Sequence, residues 1–592
     1  MTAFLPQYDP DPKYRETTLE QARAEYQYNH TYLSPLALIE KVPKKEEFSW
    51  KWMIHLAEGV LKIVENHRDV ARHPAHRAAH HARHCWLSEL IRTASFDFEA
   101  IAGVVRETLG SIPVAEGADC PEDFAALFRA IGLPAIEKDY KEDSIFAEMR
   151  VAGPSPLVIR RIVDLDDHFP VTEDHFRASE HYRAARSKDS LEEAKQEGRL
   201  YLADYQLLEE VENGGQFPEA QKYIYAPLAL FVVDNESRRL MPLAIQCRQK
   251  PAPDNPIFTP DDGYNWLIAK TIVSIADGNY HEAVAHLGQT HLFVEPFVIA
   301  THRQLAPNHP VALLLLPHFE GTLAINFMAR GHLVNQGGAI ERLFGGTLRS
   351  TVGLTRKSQQ ILSFNDAMLP RRLKNQRLDD PNILPHYPYR DDALLFWDAI
   401  RQWVADYLAL YYPSETDLQK DVELAGWFAE LVSPNGGNIA GLQNDGTMSR
   451  LDYLAEVLTM ILFTSSVQHA AVNFPQYDLM SYVPSMPLAA YAPAPTKKEG
   501  GTLADYLAML PDPGTAVMQA DLGYLLGSLH YTKLGDYSFG HFRDPRVWGS
   551  LETFKDQLAT IGKTIDERNR SRRSSRPYTF LVPSGIPQSI NV

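Results

Sequence analysis

Apolar positions recur at helical spacing over six long stretches, at about 265–302, 309–336, 391–411, 417–432, 448–474 and 549–569, and they predict a mainly α body. Trp50 to Val64 (WKWMIHLAEGVLKIV) adds an amphipathic helix, while Thr18 to Tyr32 is polar and Glu/Arg-rich and is followed by Pro35 and Pro43. This front section is expected to pack as helices outside the main body. Pro227 to Cys247 (PLALFVVDNESRRLMPLAIQC) carries two β-branched, apolar runs around a turn-prone Asp-Asn-Glu-Ser and predicts a hairpin; strand signals elsewhere are thin. The apolar run Val311 to Leu316 is short, and Val457 to Phe474 is interrupted by Thr, Ser, Gln and His, so neither is expected to span a membrane.

Composition narrows the class. With 45% apolar and 22% charged residues, the chain matches folded globular proteins, which excludes wholesale disorder, collagen-like repeats and a disulfide scaffold. A net charge of −17 opposes association with phosphate backbones, so no nucleic-acid partner is expected. Cys85, Cys120 and Cys247 lie far apart and form no CxxC pair, which fits a reducing compartment. The first residues, MTAFLPQYDPDPKY, lack a basic stretch followed by an apolar one, and a cytoplasmic location is expected.

Three polar constellations could carry chemistry. His76, His80 and His84 share i, i+4 spacing among Arg72, Arg77 and Arg83, and read as a solvated basic face. The second is HEAVAHLGQTH, from His281 to His291, inside a stretch too apolar for a surface helix. Its HExxxH spacing departs from the HExxH of zinc proteases, because on an α-helix i, i+4 side chains lie ~40° apart whereas i, i+5 side chains lie ~140° apart. His286 and His291 are also i, i+5, so a shared metal would require a local π-type turn, which brings such a pair to within roughly 50°. Buried structural histidines are the alternative. The third constellation, Gln468 to Gln476, places His469 and Asn473 at i, i+4 on one face. Three imidazoles and an amide oxygen are too nitrogen-rich for calcium or magnesium and lack the thiolates of structural zinc; an octahedral first-row redox metal suits them, with non-haem iron leading. An anionic ligand is still missing from that set.

The chain resembles the lipoxygenases. The resemblance runs over about residues 140 to 592 and is carried by WLIAK (Trp266 to Lys270), HLGQTHLFVEPFVIATHRQLAPNHP (His286 to Pro310), PHFEGTLAINFMAR (Pro317 to Arg330), QHAAVNFPQY (Gln468 to Tyr477) and the terminal GIPQSINV. It implies a large single helical catalytic domain with a few small β-hairpins over 141–592. Residues 1–140 would form a helical extension in place of an N-terminal β-sandwich, as in bacterial and cyanobacterial mini-lipoxygenases. It also implies iron ligation by His286, His291, His469, Asn473 and the terminal carboxylate of Val592, where the family most often ends in Ile. In the LAGxNP segment of the family this chain reads Val151-Ala152-Gly153-Pro154-Ser155-Pro156.

The implied activity is insertion of dioxygen into polyunsaturated fatty acids bearing a cis,cis-1,4-pentadiene, of the linoleate, linolenate or arachidonate type. Hydrogen abstraction by a ferric hydroxide leads to a hydroperoxide, and manganese is the alternative metal. Glu282 and Gln476 match positions that link the ligands to the substrate cavity by hydrogen bonds. Leu333, Ile340 and Leu534 match the channel wall, and Ala329 matches the position where Ala accompanies S products and Gly accompanies R products. Arg150, Arg160 and Arg161 are candidates for the substrate carboxylate by charge alone, with surface roles expected. A monomer is expected, with peripheral membrane contact through the N-terminal helices left open. The competing classes are a non-catalytic lipid-binding protein and a metal-dependent hydrolase.

Overall fold

A computed structural model describes residues 2–72, 118–179, 183, 188–216, 220–442, 450–572 and 576–592. His76, His80, His84 and Cys85 lie outside the described residues.

The 265–302 stretch folds as one continuous helical run: an α-helix Tyr264–Tyr280, a π-helix His281–His291 and an α-helix Leu292–Gln304. The middle of it is buried almost all round, which explains why its sequence shows no polar face. The 448–474 stretch forms a second such run, from the α-helix Leu451–Phe463 through a π-segment Thr464–Gln468 to the α-helix His469–Asn473 and a further π-segment Gln476–Met480. By length and apolarity this run could cross a membrane, but its most apolar window is 94% buried inside the protein, so it acts as a core helix. The helix Pro388–Ala409 packs on Leu451–Phe463 and on Arg546–Ser571, and a main hydrophobic core joins these elements.

The expected hairpin is present as Leu228–Val233 and Leu240–Gln246, but it is the centre of a five-stranded antiparallel sheet completed by Ile159–Arg161, Leu200–Asp204 and Ile257–Phe258. Strand content here exceeds what the sequence signals. The reason is that both faces are covered: Leu200, Leu202, Leu228, Leu230 and Val232 enter a small cluster with Phe176, while Tyr201, Ala203, Ala229, Phe231 and Val233 enter the main core. A strand buried on both sides loses the polar alternation by which it would be recognised.

The N-terminal segments are fastened to this body. Helix Pro12–Glu25 packs on Leu292–Gln304, where the buried Arg15 donates to Glu423 Oε2 at 2.9 Å and to Asp9 Oδ2 at 2.7 Å. Trp50–Arg72 packs on Pro513–Gly527, and His67 Nε2 meets the buried Asp521 Oδ2 at 2.6 Å.

Candidate metal centre

The i, i+5 spacing of His286 and His291 calls for a widened turn, and the whole His281–His291 segment is π-helical. Thr290 Oγ1 follows the same period, donating to the carbonyl of Ala285 at 2.8 Å. The outer side of this segment is held by helix Leu348–Gln360, which approaches so closely at Gly288 that a Cβ there would lie 2.2 Å from Ser358 Oγ.

With the turn widened, the two imidazoles converge. His286 and His291 bring their Nε2 atoms to 3.1 Å, and His469 joins from the second run, so that one nitrogen from each ring lies within 4.8 Å of the others. All three rings are buried. Burial depresses the imidazole pKa of His286 and of His291 to about 3 and takes that of His469 well below its usual value, so the rings are neutral and keep a lone pair. Outer partners fix which nitrogen holds the proton: His286 Nδ1 donates to Glu282 Oε2 at 3.0 Å, and His291 Nδ1 donates to Asn326 Oδ1 at 2.9 Å. The Nε2 lone pairs therefore face each other, and two acceptors cannot satisfy one another. A cation shared among them does.

Val592 meets this cluster. It is 2% exposed, and its oxygen lies 3.3 Å from His469 Nε2. The segment leading to it is stitched to the core: Leu534 N donates to Ile586 O at 2.9 Å, Thr322 Oγ1 to Ile590 O at 3.0 Å and Trp52 Nε1 to Asn591 O at 2.6 Å. Asn473, one turn after His469, is fully buried; its Nδ2 donates to Leu526 O at 2.8 Å and its Oδ1 accepts from Gln476 Nε2 at 2.9 Å. Three converging neutral imidazoles, with an oxygen of Val592 beside them, fit a first-row transition metal and are poor for calcium or magnesium. His281 shares the helix face but is committed elsewhere, with Nε2 donating to the carbonyl of Val472 at 2.7 Å and thereby joining the two runs.

The remaining residues separate by place. Ala329 sits on helix Thr322–His332, one turn beyond Asn326. Leu333 and Ile340 pack against an apolar cluster that includes Met480, Met486 and Leu522, whereas Leu534 is buried in the main core. The structure thus brings Leu333 and Ile340 together and does not bring Leu534 to them. A separate small cavity lies against the neighbouring faces of both runs: Tyr280, Ala285 and Gln289 from one, Thr464, Gln468 and Val472 from the other. Arg372, which the sequence did not single out, lines it and donates to Gln289 Oε1 at 3.0 Å.

Arg150 departs from the surface role expected of it. It is fully buried, 3.2 Å from Asp277 Oδ2 and donating to Tyr205 OH at 3.0 Å. Burial lifts the Asp277 carboxyl above its usual range, and the guanidinium opposes that shift. The pair is an internal brace for the helix that leads into His281. Removing one partner strands a buried charge, so Asp277→Ala is expected to cost about 3–5 kcal/mol. A fall in the urea midpoint with unchanged metal content per folded molecule would check it. Arg160, half-exposed beside Asp204 Oδ2 at 3.4 Å, and Arg161 lie on the edge strand of the sheet.

Comparison with known proteins follows the same lines. The sequence profile of the family described as Lipoxygenase matches residues 133–583. The chain is 42% identical over 487 residues to a linoleate 9/13-lipoxygenase of Pseudomonas aeruginosa, covering 79% of this chain and 69% of that enzyme. It is 33% identical over 524 residues to an allene oxide synthase-lipoxygenase protein of Plexaura homomalla, covering 84% of this chain but only 48% of that longer protein. Among solved structures, a coral 8R-lipoxygenase superposes with a TM-score of 0.85 at 29% identity, covering all of this chain and 83% of the other.

Proposed function

The chain belongs to the lipoxygenase family, a family of non-haem iron dioxygenases acting on polyunsaturated fatty acids, and from that premise we propose which residues hold the metal and what they do. His286, His291, His469, Asn473 and the Val592 carboxylate hold a single ion. The observation that carries this reading is the convergence of three neutral, buried imidazoles within 4.8 Å. Iron is favoured over manganese because nitrogen donors outnumber oxygen donors. A metal held there would supply reversible one-electron redox chemistry, taking an electron as a proton leaves the central methylene of a cis,cis-1,4-pentadiene of the linoleate, linolenate or arachidonate type and giving both back after dioxygen has added, so that the product is a hydroperoxide.

The protein's share is orientation. Glu282 and Asn326 hold protons on the outer nitrogens of His286 and His291, and so leave the inner lone pairs to the metal. Gln476 donates to the Asn473 amide oxygen and sets its direction. We read the apolar cluster around Leu333 and Ile340 as the wall against which an acyl chain would lie, which would keep the reacting carbon in register with the metal. We read 141–592 as the catalytic domain and 1–140 as an extension, whose described residues 2–72 and 118–140 pack on it.

Ala329 lies one helical turn from Asn326, which holds His291, and the family resemblance assigns its methyl to blocking one approach of dioxygen. The wild-type product is expected to be mainly S. Ala329→Gly removes that methyl and should move the enantiomer ratio toward R, with the acyl chain still held by the same apolar walls. Chiral-phase chromatography of linoleate products tests this; an unchanged ratio, or a wild type already mainly R, would place control of oxygen access elsewhere. Metal analysis of the purified enzyme decides between iron and manganese.

A further inference from the structure

Glu295 lies in the helix Leu292–Gln304, one turn beyond His291, and is fully buried in a stretch that is otherwise apolar. A carboxylate there needs several partners, and it has them. Its Oε1 accepts from Arg330 NH2 and from the backbone nitrogen of Ile39, each at 2.7 Å, and its Oε2 accepts from Asn326 Nδ2 at 2.8 Å. Asn326 also donates from Nδ2 to the carbonyl of His291 at 3.1 Å, which orients the amide and leaves Oδ1 as the acceptor for His291 Nδ1. The chain of bonds therefore runs from a carboxylate through an amide to an imidazole. Arg330 is 11% exposed and stacks over Tyr32 and Phe327, and Ile39 belongs to the short N-terminal strand Leu38–Ile39, so the carboxylate is held by two elements distant in sequence.

We propose that Glu295 is a positioning residue for the metal, acting through Asn326: its negative charge polarises the amide so that Oδ1 draws more strongly on the Nδ1 proton of His291, which raises the donor strength of the Nε2 lone pair. Hydrogen-bonded carboxylates commonly strengthen metal-binding imidazoles by direct contact. Here an amide transmits the effect, and the Ile39 nitrogen makes the N-terminal segment part of the same support. The inference rests on the reading that His291 binds iron.

Glu295→Gln keeps the shape and removes the charge. Anaerobic titration of the metal-free protein with ferrous ion against a competing chelator is expected to show affinity weaker by roughly 10- to 100-fold, the range for loss of such outer partners. The electron paramagnetic resonance signature of the ferric form should shift as well. Asn326→Ala, which leaves the Glu295–Arg330 pair in place, should lose as much, and adding Glu295→Gln to it should cost little more. If Glu295→Gln fails to fold, Asn326→Ala still tests the transmission. Ferrous affinity within twofold of wild type and an unchanged signature in either folded variant would overturn the proposal, even with a lower melting temperature. A wild type that binds no iron would instead overturn the ligand assignment on which it rests.

Discussion

Replacing either His286 or His291 with alanine is expected to remove the metal and the dioxygenase activity together, leaving a folded protein. Each ring gives one of three nitrogens that converge within 4.8 Å, and no other His, Cys, Asp or Glu among the described residues joins that group to take its place. Loss of a direct ligand should therefore exceed the roughly 10- to 100-fold penalty of losing an outer partner. The fold should survive because the π-segment is flanked by α-helices and packed by Leu348–Gln360, so a truncated side chain leaves a cavity whose cost is about 0.5–3 kcal/mol. Metal analysis and circular dichroism on the same preparations check both halves. Full metal occupancy in both variants would refute the assignment.

One glycine added after Val592 is expected to abolish activity as well. The insertion displaces the carboxylate by about 3.8 Å, the span of one residue. The preceding segment cannot slide to compensate, since Ile586, Ile590 and Asn591 are each fixed by hydrogen bonds to Leu534, Thr322 and Trp52. Moving the added residue inward would force a peptide group into a pocket where Val592 is already 2% exposed. Val592→Ile leaves the carboxylate in place and should retain activity. A fully active glycine-extended protein would show that another group completes the ligand set.

The helical architecture is readable from the chain because long apolar periodicity survives wherever a helix is even partly amphipathic. The π-segment was also within reach: the i, i+5 spacing of His286 and His291 is incompatible with a shared target on an α-helix, so any converging arrangement had to widen the turn. The sheet was harder. Leu200 to Asp204 is short and buried on both faces, and it carries no alternation to distinguish it from helix. Asn326 and Glu295 were missed for a different reason: each is a single polar side chain flanked by apolar neighbours in its helix, and only their juxtaposition across 31 residues reveals a shared role. Arg150 shows the opposite error, since a charged side chain carries a strong expectation of exposure that an internal partner such as Asp277 cancels. Leu534 and the Leu333 and Ile340 pair belong to different apolar clusters, a distinction that hydrophobicity alone does not encode.

The most direct test of this account is oxygen uptake on addition of linoleate, recorded for the protein as loaded with iron, after removal of the metal, and after restoration of ferrous ion. The account predicts uptake of about one dioxygen per fatty acid by the loaded protein, as hydroperoxide formation requires. It also predicts loss of uptake on stripping and recovery with iron but not with zinc. Undiminished uptake by the stripped protein, or none by protein carrying stoichiometric iron, would contradict it.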